Sequence, residues 1–388
     1  MPEETPPPTP AHHYICLPYI NLGDMEKIDL GFATIWNFSR KAEEYIPDVP
    51  LQEQVARTLK SYRASYPYPH SGTDIYHPIN GIGMIDVGIE SKNELDKESR
   101  QKANDARLMV FISFLARNNT ITRNSNTGHS MASSENFAPV HFSVVVGSQY
   151  ITEYNGFVVP SWHGGIDIDK NMVVRARHVP TPRFNVEADM LNALIRLRQR
   201  KKRVFRKVVS AIEVFYESYY NSTEVSRNAR ILLQASAFEI LLNSNSGNGR
   251  EILKTFLKDN ANYPDDRVLS YKSERRNGRM VSERGTVREK WADRFFTLRN
   301  HIIHGHVPKE KEYSFSDWQS HFDIALYFFV FCLKRKIEEH LDREIFGDDV
   351  DWKTWEDDLQ VPPKTFTGFV YEHYGRRGWE RATRGLRP

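Results

Sequence analysis

The stretch Leu298-Arg299-Asn300-His301-Ile302-Ile303-His304-Gly305-His306 closes a run that begins at Glu289-Lys290-Trp291-Ala292-Asp293-Arg294-Phe295-Phe296. Its spacing decides how the second half of the chain is read. Trp291, Phe295, Leu298 and Ile302 recur at the three-to-four interval of a buried helix face. Gly305 is the expected stop, because glycine enters the left-handed conformation that ends helices. Arg299 and His304 then stand about 140° apart on a helix of 3.6 residues per turn, at one edge near its C-terminus.

A guanidinium and an imidazole held this way suit cleavage of RNA by its own 2′-hydroxyl. That hydroxyl must lose a proton, a phosphorane must be stabilised and the 5′-oxygen must gain a proton. Histidine exchanges protons near neutrality, and arginine offers phosphate oxygens a charged planar fork. The route requires no metal and no cofactor.

Arg299-Asn300-His301-Ile302-Ile303-His304 resembles the R-x(4–6)-H motif of HEPN domains, with the polar residue after the arginine that the family favours. The trailing His-Gly is similar to the ApeA-like branch. The resemblance covers residues 203–345 and implies a helical bundle that dimerises, so that two copies of the motif meet as a metal-independent endoribonuclease. It implies Arg299 as stabiliser of the phosphorane, His304 as proton carrier for the 2′- or 5′-oxygen, and Asn300 as an aid to positioning. It further implies RNA as substrate, a second copy and a defence-system protein as partners, and work in prokaryotic antiviral defence or as a toxin. Some members have lost the motif and only bind RNA, so a non-catalytic RNA-binding or scaffold subunit is the competing expectation.

Outward from the motif, the chain is 388 residues long, more than one core usually supports, so two domains are expected. The fold class is read as α+β: residues 14–185 as an α+β sensor or partner domain with a mostly antiparallel sheet, then 186–345 as an all-α HEPN-like bundle. Residues 1–13, rich in proline, are expected to be a disordered leader, and 346–388 a basic tail. The formal net charge of +3 is too small for a global field, so nucleic-acid binding has to rest on local clusters. Cys16 and Cys332 stand far apart in apolar surroundings and read as free buried thiols. No charged-then-apolar leader opens the sequence, and the longest apolar stretch, Ile324 to Leu333, is too short for a bilayer. A soluble cytoplasmic protein without membrane attachment is expected.

Strands are expected at Tyr14 to Ile20 and Ile28 to Trp36, at Ile82 to Ile89, and again at Val140 to Val146, Ile151 to Val159 and Met172 to Arg177. Pro18 would put the first of them at a sheet edge. Leu51 to Tyr62 reads as a helix buried through Leu51, Val55 and Leu59, and Ser91 to Leu115 as one long helix. Residues 63–80 and 118–136 read as loops. Beyond Pro180 and Pro182 the pattern is helical: Ala188 to Arg200, Phe205 to Tyr220, Val225 to Leu242, Arg250 to Leu257, the motif helix, and Phe315 to Leu341. A basic, turn-rich insertion at 263–284 interrupts it.

Glu239 sits in the apolar run Ala235 to Leu242. Either it is buried and meets Arg299 or Arg230, or the helix is turned so that it meets water. Asn300 either orients the phosphate or histidine or faces solvent, and His301 is carried as a supporting residue. Two basic blocks are candidate phosphate contacts: Arg198, Arg200, Lys201, Lys202, Arg203 and Arg206, and then Arg275 and Arg276. The alternative is that they are solvated surface. His301, His304 and His306 lack the cysteine or carboxylate company of a zinc site, and no metal is expected.

Overall fold

The structure, a computed structural model, describes residues 11–67, 74–79, 81–88, 95–118, 134–145, 150–154, 166–167, 175–178, 186–219, 225–244, 247–260, 268–275, 278–316, 320–342 and 344–346. The chain is mixed α+β with a helical C-terminal portion. It divides into two compact units, Met1–Phe114 with Ser130–Val186, and Leu115–His129 with Glu187–Pro388.

In chain order the first unit runs β1 (Ala11–Asn21), β2 (Lys27–Asp29), β3 (Thr34–Asn37), α1 (Phe38–Tyr45), α2 (Val49–Leu59), β4 (Tyr62–Pro67), β5 (Asp74–Pro78) and β6 (Ile82–Asp86). Then come α3 (Lys97–Asn118, within this unit to Phe114), a 3₁₀ turn (Ser134–Phe137), β7 (Val140–Val145), β8 (Tyr150–Tyr154), β9 (Ile166–Asp167) and β10 (Arg175–His178). A seven-stranded sheet has the order β2-β3-β6-β1-β7-β8-β9, antiparallel throughout. Asp48 caps α2 by accepting from the Leu51 N–H, and Leu51, Val55 and Leu59 pack with Cys16, Trp36, Met84, Phe142 and Val144. Ile15 and Leu17, on the alternate face of β1, are buried as well.

Several expectations are corrected here. The leader does not reach residue 13: β1 begins at Ala11, and the β7 ladder orders His12 opposite Val144 and His13 opposite Ser143. Nor does Pro18 make β1 an edge strand. Pairing with β7 ends at Cys16, and the register with β6 shifts between Leu17 and Asn21, so the proline lies in an irregular stretch where its missing N–H breaks no ladder. Ile28 to Trp36 is two strands, since Gly31 (φ 74°) turns the chain and its N–H donates to Asp29 Oδ1. Residues 63–80 are not simply loop: β4 pairs with β5 and, in parallel, with β10 as a separate three-stranded sheet. Within 118–136, Ser134–Phe137 is a buried turn whose Phe137 meets the edge of Phe111. Residues 119–133, and Pro180 and Pro182, lie outside the described residues.

The second unit runs α4 (Ala188–Arg200), α5 (Lys202–Ser218), α6 (Arg227–Leu241), α7 (Gly249–Asn260), β11 (Leu269–Glu274), β12 (Met280–Gly285), α8 (Val287–Ile303), a 3₁₀ turn (Glu310–Tyr313) and α9 (His321–Leu341). Phe238 of α6 meets Trp291, Phe295 and Phe329 edge-on, and Phe215 stacks on Phe329 at 4.1 Å. These rings bind α5, α6, α8 and α9 into one core. The insertion expected at 263–284 is an antiparallel hairpin, β11 with β12. Phe346 is buried, and its N–H donates to Glu338, so the tail expected from 346 starts after it. The remainder, 347–388, lies outside the described residues. Among the described residues no helix is long and apolar enough to cross a membrane, and Cys16 and Cys332 are buried thiols outside any disulfide.

Candidate functional site

Local chemistry fixes both ends of α8. Thr286 Oγ accepts from the Glu289 N–H while Glu289 returns a carboxylate oxygen to the Thr286 N–H, a reciprocal cap. At the far end the Gly305 N–H donates to Ile302 O and the His306 N–H to His301 O. Gly305 itself stands at φ +80°. This paired closure uses carbonyls that a helix end otherwise leaves unbonded. Between the ends Trp291, Phe295 and Leu298 are buried, whereas Ile302, expected on that face, is only half-buried.

The last turns carry the motif. Arg299 Nη2 donates to both oxygens of Glu239, each at 3.2 Å, and its Nη1 donates to Asn300 Oδ1 at 3.0 Å. Of the two partners envisaged for Glu239, Arg299 is the one found, and the two side chains are 20% and 17% exposed. His304 is the residue that caps α8 and is exposed. Its imidazole makes no hydrogen bond or ion pair among the described residues. Arg299, Asn300 and Glu239 are therefore brought together, with His304 one and a half turns on at the surface.

His301 turns elsewhere. Its Nε2 lies 3.1 Å from Glu274 Oε2 on β11, and its ring tilts against His306. Among the described residues no three or more His, Cys, Asp or Glu side chains group as metal ligands, the motif histidines included.

The basic blocks divide. Arg200, Lys201, Lys202, Arg203 and Arg206 are exposed where α4 breaks into α5 at Lys201. Arg198 is half-buried and lies over the Phe205 ring, so packing occupies part of its stem. Lys207 nearby has its amine drawn below the usual lysine range by burial and by Lys336. Arg275 is bound to Glu283 at 2.7 Å, which neutralises it, and Arg276 lies outside the described residues.

Two features were missed in the sequence. Gly249 opens α7 beside the Arg299 partner: a Cβ there would come within 2.7 Å of both Glu239 Oε1 and Phe296 Cε1. Its signal is a glycine immediately before the helix expected from Arg250. Asp293, 1% exposed, accepts from Ser273 Oγ at 2.8 Å, and Arg250 Nη1 stands 3.6 Å away. Burial pushes its carboxyl above the usual range against those two contacts. Comparison of the chain with protein-family models, with curated proteins and with solved structures gives no match.

Proposed function

We propose that the protein is a metal-independent endoribonuclease that cleaves RNA by attack of the 2′-hydroxyl, with the helices of the second unit acting as a HEPN-like bundle. The observation that carries the reading is the division of labour on the last turns of α8. Arg299 is oriented by Glu239 and Asn300, while His304 is exposed and unpartnered among the described residues. In this scheme Arg299 stabilises charge building on the phosphorane, His304 moves the proton and Asn300 aids positioning. Glu239 is a positioning residue that fixes the guanidinium rather than a base.

One motif supplies few groups, and a two-fold axis doubles them. Ile303 is 50% exposed and Val307 90% exposed, on either side of His304. A homodimer meeting there would cover this apolar surface and bring two histidines to one scissile bond. The exposed block from Arg200 to Arg206 would track the RNA backbone. A place in antiviral defence or as a toxin, with a protein partner or trigger read by the first unit, belongs to the same proposal.

The second reading is a non-catalytic RNA-binding or scaffold subunit. It is favoured by the Arg299–Glu239 pair itself, since a guanidinium already neutralised within the chain can serve stability alone. Labelled RNA incubated with the full chain in excess EDTA separates the two. Cleavage that survives chelation and vanishes in Arg299→Ala and His304→Ala supports the enzyme, whereas retained binding of intact RNA supports the scaffold.

A further inference from the structure

A second feature of α8 faces away from the Arg299–Glu239 pair. Lys290, Arg294, Thr297 and His301 recur at helical spacing and line an open cavity of about 720 Å³, whose wall also includes residues of β11, Lys311, Glu312, Ser314 and His321. Pockets that enclose small organic ligands span roughly 300 to 1,000 Å³. This one is too roomy for a bare phosphate ion.

Its charges are unusual in how they are partnered. Lys272, Lys290, Arg294 and Lys311 all line it, and among the described residues none of the four is paired with a carboxylate. Lys290 and Arg294 are one turn apart and lean over the same ring, Phe315, at 5.8 and 5.7 Å. Like charges at this spacing repel and destabilise a helix, and burial together with Arg294 depresses the Lys290 amine. The carboxylates in the wall are engaged elsewhere: Glu274 with His301, Asp293 with Ser273, and Glu312 with the Lys309 N–H. Thr297 Oγ1 and His321 Nδ1, both buried, have no hydrogen-bond partner among the described residues. Tyr271, Leu298 and Met280 supply apolar wall.

We infer that this cavity is a binding site for a nucleoside di- or triphosphate, its phosphates held by Lys290, Arg294, Lys272 and Lys311 and its nucleoside against Tyr271, Leu298 and Met280. The inference stands apart from the nuclease reading, because neither Arg299 nor His304 lines the cavity. Through His301 and the Glu274 contact, an occupant would touch the helix that carries the motif.

The test is titration of the full chain with the fluorescent nucleotide mant-ADP, followed by anisotropy. Saturable binding below about 1 mM is expected, the threshold of measurable small-ligand affinity. Pyrophosphate should compete and adenosine should compete more weakly. Lys290→Met with Arg294→Gln should weaken binding at least about tenfold, as loss of charge-assisted contacts does. Lys272→Ala with Lys311→Ala changes exposed side chains and guards against a folding artefact, and it should also weaken binding. Arg299→Ala should bind as the parent does. Absence of saturable binding for mant-ADP, mant-ATP and mant-GTP alike, or equal affinity in both lysine-containing double variants and the parent, would overturn the assignment.

Discussion

Arg299 and Glu239 meet across sixty residues of sequence, with a single guanidinium nitrogen, Nη2, donating to both carboxylate oxygens at 3.2 Å. The contact joins α6 to the last turns of α8, so a motif that reads as local depends on a residue from a different helix. Both side chains are largely buried. Removing either leaves the other without its counter-charge, which is worse than removing both.

A double-mutant cycle therefore gives a defined outcome. Glu239→Ala and Arg299→Ala are each expected to lower stability by roughly 1–3 kcal/mol, and the double variant by less than their sum. Urea denaturation of the four proteins measures this. Additive losses would mean that the pair is not coupled.

Gly249→Ala reaches the same pair indirectly. Its new methyl would press on Glu239 Oε1 and the buried edge of Phe296, and overpacking of this kind costs about 1–3 kcal/mol. The ring cannot retreat easily, so the carboxylate is expected to give way and loosen Arg299. A lowered melting temperature together with reduced RNA cleavage is the expected result, and Gly249→Ala at parental stability would show that the approach is slack.

His304→Ala should behave in the opposite manner. The imidazole is exposed, so stability should stay within about 0.5 kcal/mol of the parent. Cleavage should fall by roughly 10²- to 10⁴-fold, the range expected for a lost proton-transfer group. Parallel melts and single-turnover cleavage assays separate the two effects.

Acid should destabilise the first unit through His141. This side chain is 3% exposed and lies 3.0 Å from His13; burial, then His13 and Arg100, lower its pKa from 6.5 to about 4. Its folded value is below its unfolded one, so the unfolded chain binds the extra proton as pH falls. Stability from this group is intact above pH 6.5 and declines between 6.5 and about 4, by about 3 kcal/mol at the lower limit. Melts across that window should show a shallower slope in His141→Gln. An unchanged slope would mean that His141 is not the titrating group.

Much of the architecture was legible because it is written in periodicity. Leu51, Val55 and Leu59 marked α2, Trp291, Phe295 and Leu298 marked α8, and Gly305 marked its end; all play those parts in the structure. The hairpin at 269–285 was hidden because only Tyr271 and Ser273 of β11 are buried, which leaves a polar strand that reads as turn and charge. Pro18 misled because a local rule about ladder hydrogen bonds says nothing of where a ladder stops. Within the candidate site, Arg299, Asn300 and His304 were singled out by the resemblance of their run to a known motif and by their place at the end of a periodic helix. Which guanidinium Glu239 meets is a tertiary fact, as is the turning of His301 toward Glu274 of the hairpin.

The most direct measurement is cleavage of a labelled RNA by the full chain in excess EDTA, with products resolved by their termini. Transesterification without a bound ion predicts 2′,3′-cyclic phosphate and 5′-hydroxyl ends, produced by the parent and abolished in Arg299→Ala and in His304→Ala. Products ending in 5′-phosphate, activity lost on chelation, or cleavage unchanged in both variants would contradict the account.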